Sequence, residues 1–136
     1  KGCENLFVLI PVAPNTSIGH GNAYRQEESP IVRTIASAAV RQIGEWANIP
    51  DLVDRVILRR TIGPQDFEER YHSWLGGALG PAHTLGQSAF FRGTNISRRV
   101  KGLLYVGGTT VPGVGVPMCL ISAENVLTRL GMPTTT

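Results

Sequence analysis

Apolar positions recur at helical spacing from Pro30 to Asn48, where Val32, Ala36, Ala39, Ile43 and Trp46 share one face and Arg33, Ser37, Arg41 and Glu45 point away. Ser29 is suited to cap this helix, Pro30 to its first position, and Glu27 and Glu28 to its positive end; Pro50 stops it. Gly63-Pro64 opens a short second helix, with Asp66, Glu68 and Glu69 in its first turns and Phe67 and Tyr71 facing inward. A third helix is predicted from about Pro117 to Leu130, with Leu120, Ile121, Val126, Leu127 and Leu130 as its apolar positions and Gly131 as its stop. Short apolar runs read instead as strands: residues 6–12 (LFVLIPV), 53–61 (VDRVILRRT) and 103–106 (LLYV). Pro11 and Pro14 place the end of the first run at a sheet edge or outside the sheet. Residues 15–22 (NTSIGHGN) are turn-like, 75–95 are irregular, and no internal repeat is visible.

Composition narrows the class. The 136 residues are 42% hydrophobic and 17% charged, which excludes a disordered chain, a collagen and a coiled coil. No apolar window reaches the ~18 residues of a membrane-spanning helix. The 16 glycines and 9 prolines are more than a small compact domain needs, which implies a loop-rich chain or one shaped around a ligand. The net charge is +3, and Arg98, Arg99 and Lys101 form the one basic cluster, suited to a phosphate, a lipid headgroup or simply to solvent. Aromatic residues make up 7% and do not interleave with the basic ones, so no nucleic-acid partner is expected. Cys3 and Cys119 are isolated, which argues against a disulfide framework or a zinc site and fits a reducing, cytoplasmic compartment. The opening residues Lys1-Gly2-Cys3-Glu4-Asn5 carry neither a signal pattern nor an initiator Met and read as the interior of a longer chain.

Candidate chemistry concentrates near the end of the chain. LLYVGG, then TTVPGVG, then VPMCLISAENVL has the order strand, glycine loop, helix, in which backbone approaches a ligand closely and helix N–H groups face negative charge. Gly113-Val114-Gly115-Val116-Pro117-Met118 is an incomplete dinucleotide fingerprint, with Met at the last glycine position and no room downstream for an acidic ribose ligand. A ligand-approach loop and a structural loop both remain open, and the density of Gly102, Gly107, Gly108, Gly113 and Gly115 points toward a ligand. Elsewhere, His20, His72 and His83 lack metal-ligand spacing and no metal is expected; His20 in IGHGN is either a hydrogen-bonded histidine or part of an oxyanion-type loop. Ser88 fails the nucleophile-elbow pattern, and Asp66, Glu68 and Glu69 are better explained by a helix N-terminus than by acid–base catalysis. Asn95-Ile96-Ser97 matches a glycosylation sequon that has no meaning without secretion, and Phe90 and Phe91 suit either a core or an apolar channel. No catalytic residue is identified.

The segment GLLYVGGTTVPGVGVPMCLISAENVLTRL, preceded in order by ENLFVLIPVAP, TIGPQDFEERY and GGALGPAHTLGQSAFFRGTN, resembles the C-terminal portion of the bacterial and fungal type phytoene desaturases, which are FAD-dependent carotenoid desaturases. The resemblance implies an α/β fold, with this chain as the C-terminal part of a two-lobed, amine-oxidase-like flavoprotein. Residues 1–98 would be part of the substrate-binding domain, with a sheet and helices, and 99–136 would return to the FAD domain as its last strand and helix. It implies that Gly107, Gly108 and Thr109 lie beside the ribityl and diphosphate part of FAD, and that Gly115, Val116, Pro117 and Met118 lie under the pyrimidine edge of the flavin. Where related amine-oxidase-like flavoproteins often carry an acidic residue after the strand, this chain has Thr109-Thr110, whose hydroxyls can still hydrogen-bond a hydroxylated ligand chain. The implied reaction introduces conjugated double bonds into phytoene or a related precursor by hydride transfer to flavin, at a membrane surface that gives access to an apolar polyene. The implied partner is the N-terminal part of the same protein, without which the fragment would be inactive. A carotenoid isomerase or oxygenase of the same superfamily, and a non-enzymatic module for an apolar ligand, are the alternatives.

Overall fold

The computed structural model describes residues 2–81, 84–88 and 91–133, so His83 and Phe90 lie outside the described residues. Among the described residues three α-helices are formed: α1 over Pro30–Trp46, α2 over Pro64–Tyr71 and α3 over Val116–Arg129. Short 3-10 turns occur at Thr16–Ile18, Trp74–Gly76 and Leu85–Gln87. The chain divides into two compact units at Ala78/Leu79.

In the first unit, the expected cap of α1 is present. The Ser29 hydroxyl accepts from Val32 N–H at 3.3 Å and donates to Ile18 O at 2.6 Å, tying the helix start to the preceding 3-10 turn. Val32 is buried and Ala36, Ala39 and Ile43 are half-buried, as the helical spacing predicts. Trp46 is not on the buried face: it is 77% exposed. The chain folds back one turn earlier, over buried Gly44, where Ile49 N–H donates to Gly44 O at 2.8 Å, and this leaves Trp46 outside. Tyr71, also expected inside, is 63% exposed at the last position of α2, where His72 turns the chain into the left-handed region at φ 52°.

The strand expectations are not met, and the sheet of the predicted fold class is not formed among the described residues. Residues 6–12 carry no regular secondary structure and their side chains are exposed, Phe7 at 94%. A strand is stable only when its N–H and C=O groups pair with a neighbour, and no described segment pairs with this one in a ladder. Residues 53–61 fail for a different reason. Local hydrogen bonds from Asp54 and Arg55 back to Asp51 O form a turn, supported by an Asp51–Arg55 ion pair at 2.7 Å, and this local closure outweighs the β-propensity of Val53, Val56 and Ile57. Around residues 103–106 only isolated bridges form, Ile96 with Leu104 antiparallel and Gly93 with Thr110 parallel.

Polar groups, more than apolar ones, occupy the centres of both units. The buried hydrophobic residues described are Val32 and Val126, whereas Glu28, Asp66, Arg92, Asn95, Thr110 and Ser122 are all buried. In the first unit Asp66 Oδ2 accepts from Gly21 N–H and Gly63 N–H, each at 2.7 Å, while Oδ1 lies 3.0 Å from His20 Nδ1. The backbone closes around this carboxylate so tightly that a Cβ on Gly21 would meet Thr61 O at 1.9 Å. Asp66 therefore serves the N-terminus of α2, as its position predicts, and His20 is a hydrogen-bonded histidine within the scaffold.

Glu28 forms the second anchor, accepting from Thr61 Oγ at 2.6 Å, Arg59 at 3.1 Å and Arg33 at 3.4 Å. Burial pushes its carboxyl up, but the Thr61 hydroxyl, the Arg59 charge and the Arg33 guanidinium outweigh that and hold it below the usual carboxylate value. A depressed folded-state pKa stabilises the fold above the unfolded carboxyl's pKa, and that contribution is lost as pH falls through the folded value. Glu28→Gln is therefore expected to lower the melting temperature at neutral pH and to flatten the acid side of the stability profile. A wild-type-like acid limb in thermal melts across a pH series would contradict this assignment.

Candidate functional site

The second unit contains the glycine loop and α3, which residue order alone had singled out. Gly107 has φ 125° and Gly115 φ 104°, backbone conformations that favour glycine. A Cβ at Gly107 would meet nothing within 4 Å, and one at Gly115 only Pro117 Cδ at 4.0 Å. These glycines are thus not demanded by internal packing; they leave the space above the backbone clear.

Gly115 is the N-cap of α3, Val116 and Pro117 are exposed, and Met118 is half-buried. Cys119 N–H donates to Gly115 O at 3.0 Å, starting the helical ladder. Helix geometry leaves the N–H groups of Val116 and Met118 without an intrahelical acceptor, and Pro117 has no N–H to offer. The helix start therefore presents two donors and a positive dipole end, an arrangement suited to an anionic or electron-rich group. The wider charge agrees: from residue 79 to 136 Glu124 is the only acidic residue, against Arg92, Arg98, Arg99, Lys101 and Arg129.

The loop itself is held from below. Buried Arg92 donates through Nε at 2.9 Å and through Nη2 to Gly108 O, and through Nη2 to Leu79 O at 3.1 Å. Gly108 thus uses its carbonyl within the unit. Thr109 is exposed at the loop surface, whereas the neighbouring Thr110 is buried. Thr110 Oγ donates to Gly107 O at 2.9 Å, so this hydroxyl is committed to the scaffold and is not offered to a ligand.

Asn95 sits at the centre, 1% exposed, with Ser122 at 0% beside it. Asn95 Nδ2 lies 3.0 Å from Tyr105 O, 3.0 Å from Ser122 Oγ and 3.2 Å from Thr110 Oγ. The amide orientation follows from Tyr105 O, which can only accept. Asn95 Oδ1 is buried with no hydrogen-bond partner among the described residues, an arrangement that costs about 1–3 kcal/mol. The structure thus brings Gly107, Gly108 and Thr109 into one loop and Gly115, Val116, Pro117 and Met118 into one helix start. It adds Arg92, Asn95, Thr110 and Ser122, whose roles residue order did not reveal. Ser122, a lone hydroxyl within the apolar stretch of α3, is the available signal; Asn95 carries none beyond its place in a sequon.

The apolar positions of α3 are arranged differently from the expectation: Leu120, Ile121 and Leu130 are exposed, and Ser122 and Val126 form the buried line. Among the described residues no group of His, Cys, Asp and Glu could hold a metal ion.

Comparison with known proteins finds relatives among the carotenoid desaturases. The chain is 42% identical over 129 residues, 95% of its length, to a carotenoid 3,4-desaturase of Haloarcula japonica, and this stretch is 24% of that protein. It is 32% identical over 124 residues, 91% of its length, to the 4,4'-diaponeurosporene-forming 4,4'-diapophytoene desaturase of Staphylococcus aureus, again 24% of the relative. The chain is thus homologous to the carotenoid desaturases and spans about a quarter of the length of these curated relatives. No family model matches the chain, and no solved structure matches it.

Proposed function

We propose that the chain is the C-terminal segment of an FAD-dependent carotenoid desaturase, with residues 1–98 in its substrate-binding domain and 99–136 in its FAD domain. The observation that carries the reading is the 42% identity to a carotenoid 3,4-desaturase along 95% of the chain. The clear space above Gly107 and Gly115 and the two free donors at the start of α3 fit a flavin. Bound FAD would supply the two-electron acceptor for removing hydrogen from a –CH2–CH2– unit of an apolar polyene. Gly107, Gly108 and Thr109 would lie along its ribityl and diphosphate portion. Val116 and Met118 N–H would face the pyrimidine edge of the ring, where a helix N-terminus stabilises developing negative charge. Gly115 and Pro117 shape the entry to that edge, Gly115 by its positive φ and Pro117 by fixing the first helical turn.

The same reading accounts for the exposed apolar residues, among them Leu6, Phe7, Leu9, Ile57 and Leu58. They would be covered by the rest of the longer protein or face a substrate that needs water excluded from its path. No described helix is long and apolar enough to cross a membrane. Access to a lipid-soluble substrate would come from peripheral association of a cytoplasmic protein, for which exposed Arg98, Arg99 and Lys101 beside exposed Val100 and Leu103 are suited.

The test is to supply the protein that carries this chain with FAD and a carotenoid precursor and to follow the products by absorbance and mass. Loss of two hydrogens per step with a longer-wavelength spectrum is the expected result. An unchanged mass with altered double-bond geometry would establish an isomerase instead, added oxygen an oxygenase, and binding without turnover a non-enzymatic module.

A further inference from the structure

Gly107 is held through both of its backbone polar groups, and the direction of each hydrogen bond can be deduced. Gly107 N–H donates to Ser122 Oγ at 3.2 Å. Thr110 Oγ lies 2.9 Å from Gly107 O, which can only accept, so the Thr110 proton is directed there. Thr110 Oγ and Ser122 Oγ are 2.9 Å apart, and with the Thr110 proton already committed, Ser122 must be the donor between them. The bonds run from Gly107 N–H to Ser122, from Ser122 to Thr110 and from Thr110 back to Gly107 O: a closed ring in which each hydroxyl donates to one ring member and accepts from another. Asn95 Nδ2 braces the ring at both oxygens.

We propose that Thr110 and Ser122, braced by Asn95, are positioning residues that set the Gly107 backbone and its placement relative to the start of α3 for flavin binding; this rests on the FAD reading above. The geometry is specific to that task. Glycine at φ 125° has a wide range of alternative conformations, and the ring restrains the peptide planes on both sides of its Cα. Ser122 belongs to α3, so the ring joins the two parts of the candidate site, the 107–109 loop and the helix start at 115–118. Ser122 and Thr110 are both buried and do not themselves face a ligand. Mutually polarising hydrogen bonds in a closed circuit also make their effects interdependent.

That interdependence separates positioning from ordinary packing. Apoprotein of the protein that carries this chain is titrated with FAD, followed by flavin fluorescence, for wild type, Thr110→Val, Thr110→Ser, Ser122→Ala and the Thr110→Val/Ser122→Ala double variant. Thr110→Val preserves shape, and Thr110→Ser preserves the hydroxyl. Thr110→Val and Ser122→Ala are each expected to weaken FAD binding roughly tenfold, as loss of a buried hydrogen bond does. Thr110→Ser should bind like wild type. The double variant should be no weaker than the worse single one, because one opening already breaks the circuit. Amide exchange at Gly107 should speed up in Thr110→Val and Ser122→Ala but not in Thr110→Ser. Wild-type FAD affinity in Thr110→Val, or single effects that multiply to about a hundredfold in the double variant, would overturn the ring's role while leaving the FAD reading intact. A wild-type protein that takes up no FAD would overturn both.

Discussion

Asp66→Ala is expected to destabilise the first unit by about 3–5 kcal/mol, the largest stability loss of any single substitution described above. The carboxylate accepts from Gly21 and Gly63 N–H at 2.7 Å and faces His20, so alanine leaves two backbone donors unpaired in a site too closed to admit a substitute. The neighbouring backbone cannot relax inward, because Gly21 already lies against Thr61 O and Gly63 against Gly19 O. Asp66→Asn should lose less than half as much. Its oxygen can take both N–H groups, and its amide can donate to His20 Nδ1 once the imidazole adopts the other tautomer. The comparison separates hydrogen bonding from charge. Urea unfolding followed through Trp46 and Trp74, which both lie in the first unit, reads it directly. Equal midpoints for wild type and Asp66→Ala would refute the anchor role, and equal losses for Ala and Asn would assign the effect to charge.

The helices were legible because their boundaries are written locally. Ser29 and Pro30 start α1, Gly63 and Pro64 start α2, and α3 begins within one residue of its predicted start. The strands were not, because strand formation depends on a partner that β-propensity cannot supply. Residues 6–12 have the composition of a buried strand and no paired neighbour among the described residues. The long-range partners of the polar anchors were illegible for a related reason. Asp66 meets Gly21 across 45 positions and Asn95 meets Ser122 across 27, distances at which no periodicity or local motif operates. The glycine loop and the start of α3 stood out because glycine density and a Val-Pro helix start are themselves local signals. Residue order suggests where backbone could approach a ligand, and the fold shows what holds that backbone in place.

Gly107→Ala is expected to weaken FAD binding by about a hundredfold or more, roughly 3 kcal/mol, with only a modest loss of stability. A Cβ there contacts no protein atom within 4 Å, so the substitution creates no clash inside the unit. It does place a methyl group in the space kept clear above the backbone, and it strains a residue at φ 125°. Gly102→Ala separates these two effects. Gly102 has φ 81° and an equally open Cβ direction, but it lies beside Lys101, outside the 107–109 loop and the start of α3. Both substitutions carry the cost of a side chain at positive φ, and only the one at Gly107 obstructs the proposed flavin position. Matched melting temperatures with FAD affinity lost in Gly107→Ala and kept in Gly102→Ala are the expected result. Wild-type FAD affinity in both variants would remove Gly107 from the flavin site, and equal loss in both would show that the effect comes from backbone strain and not from the approach of a ligand.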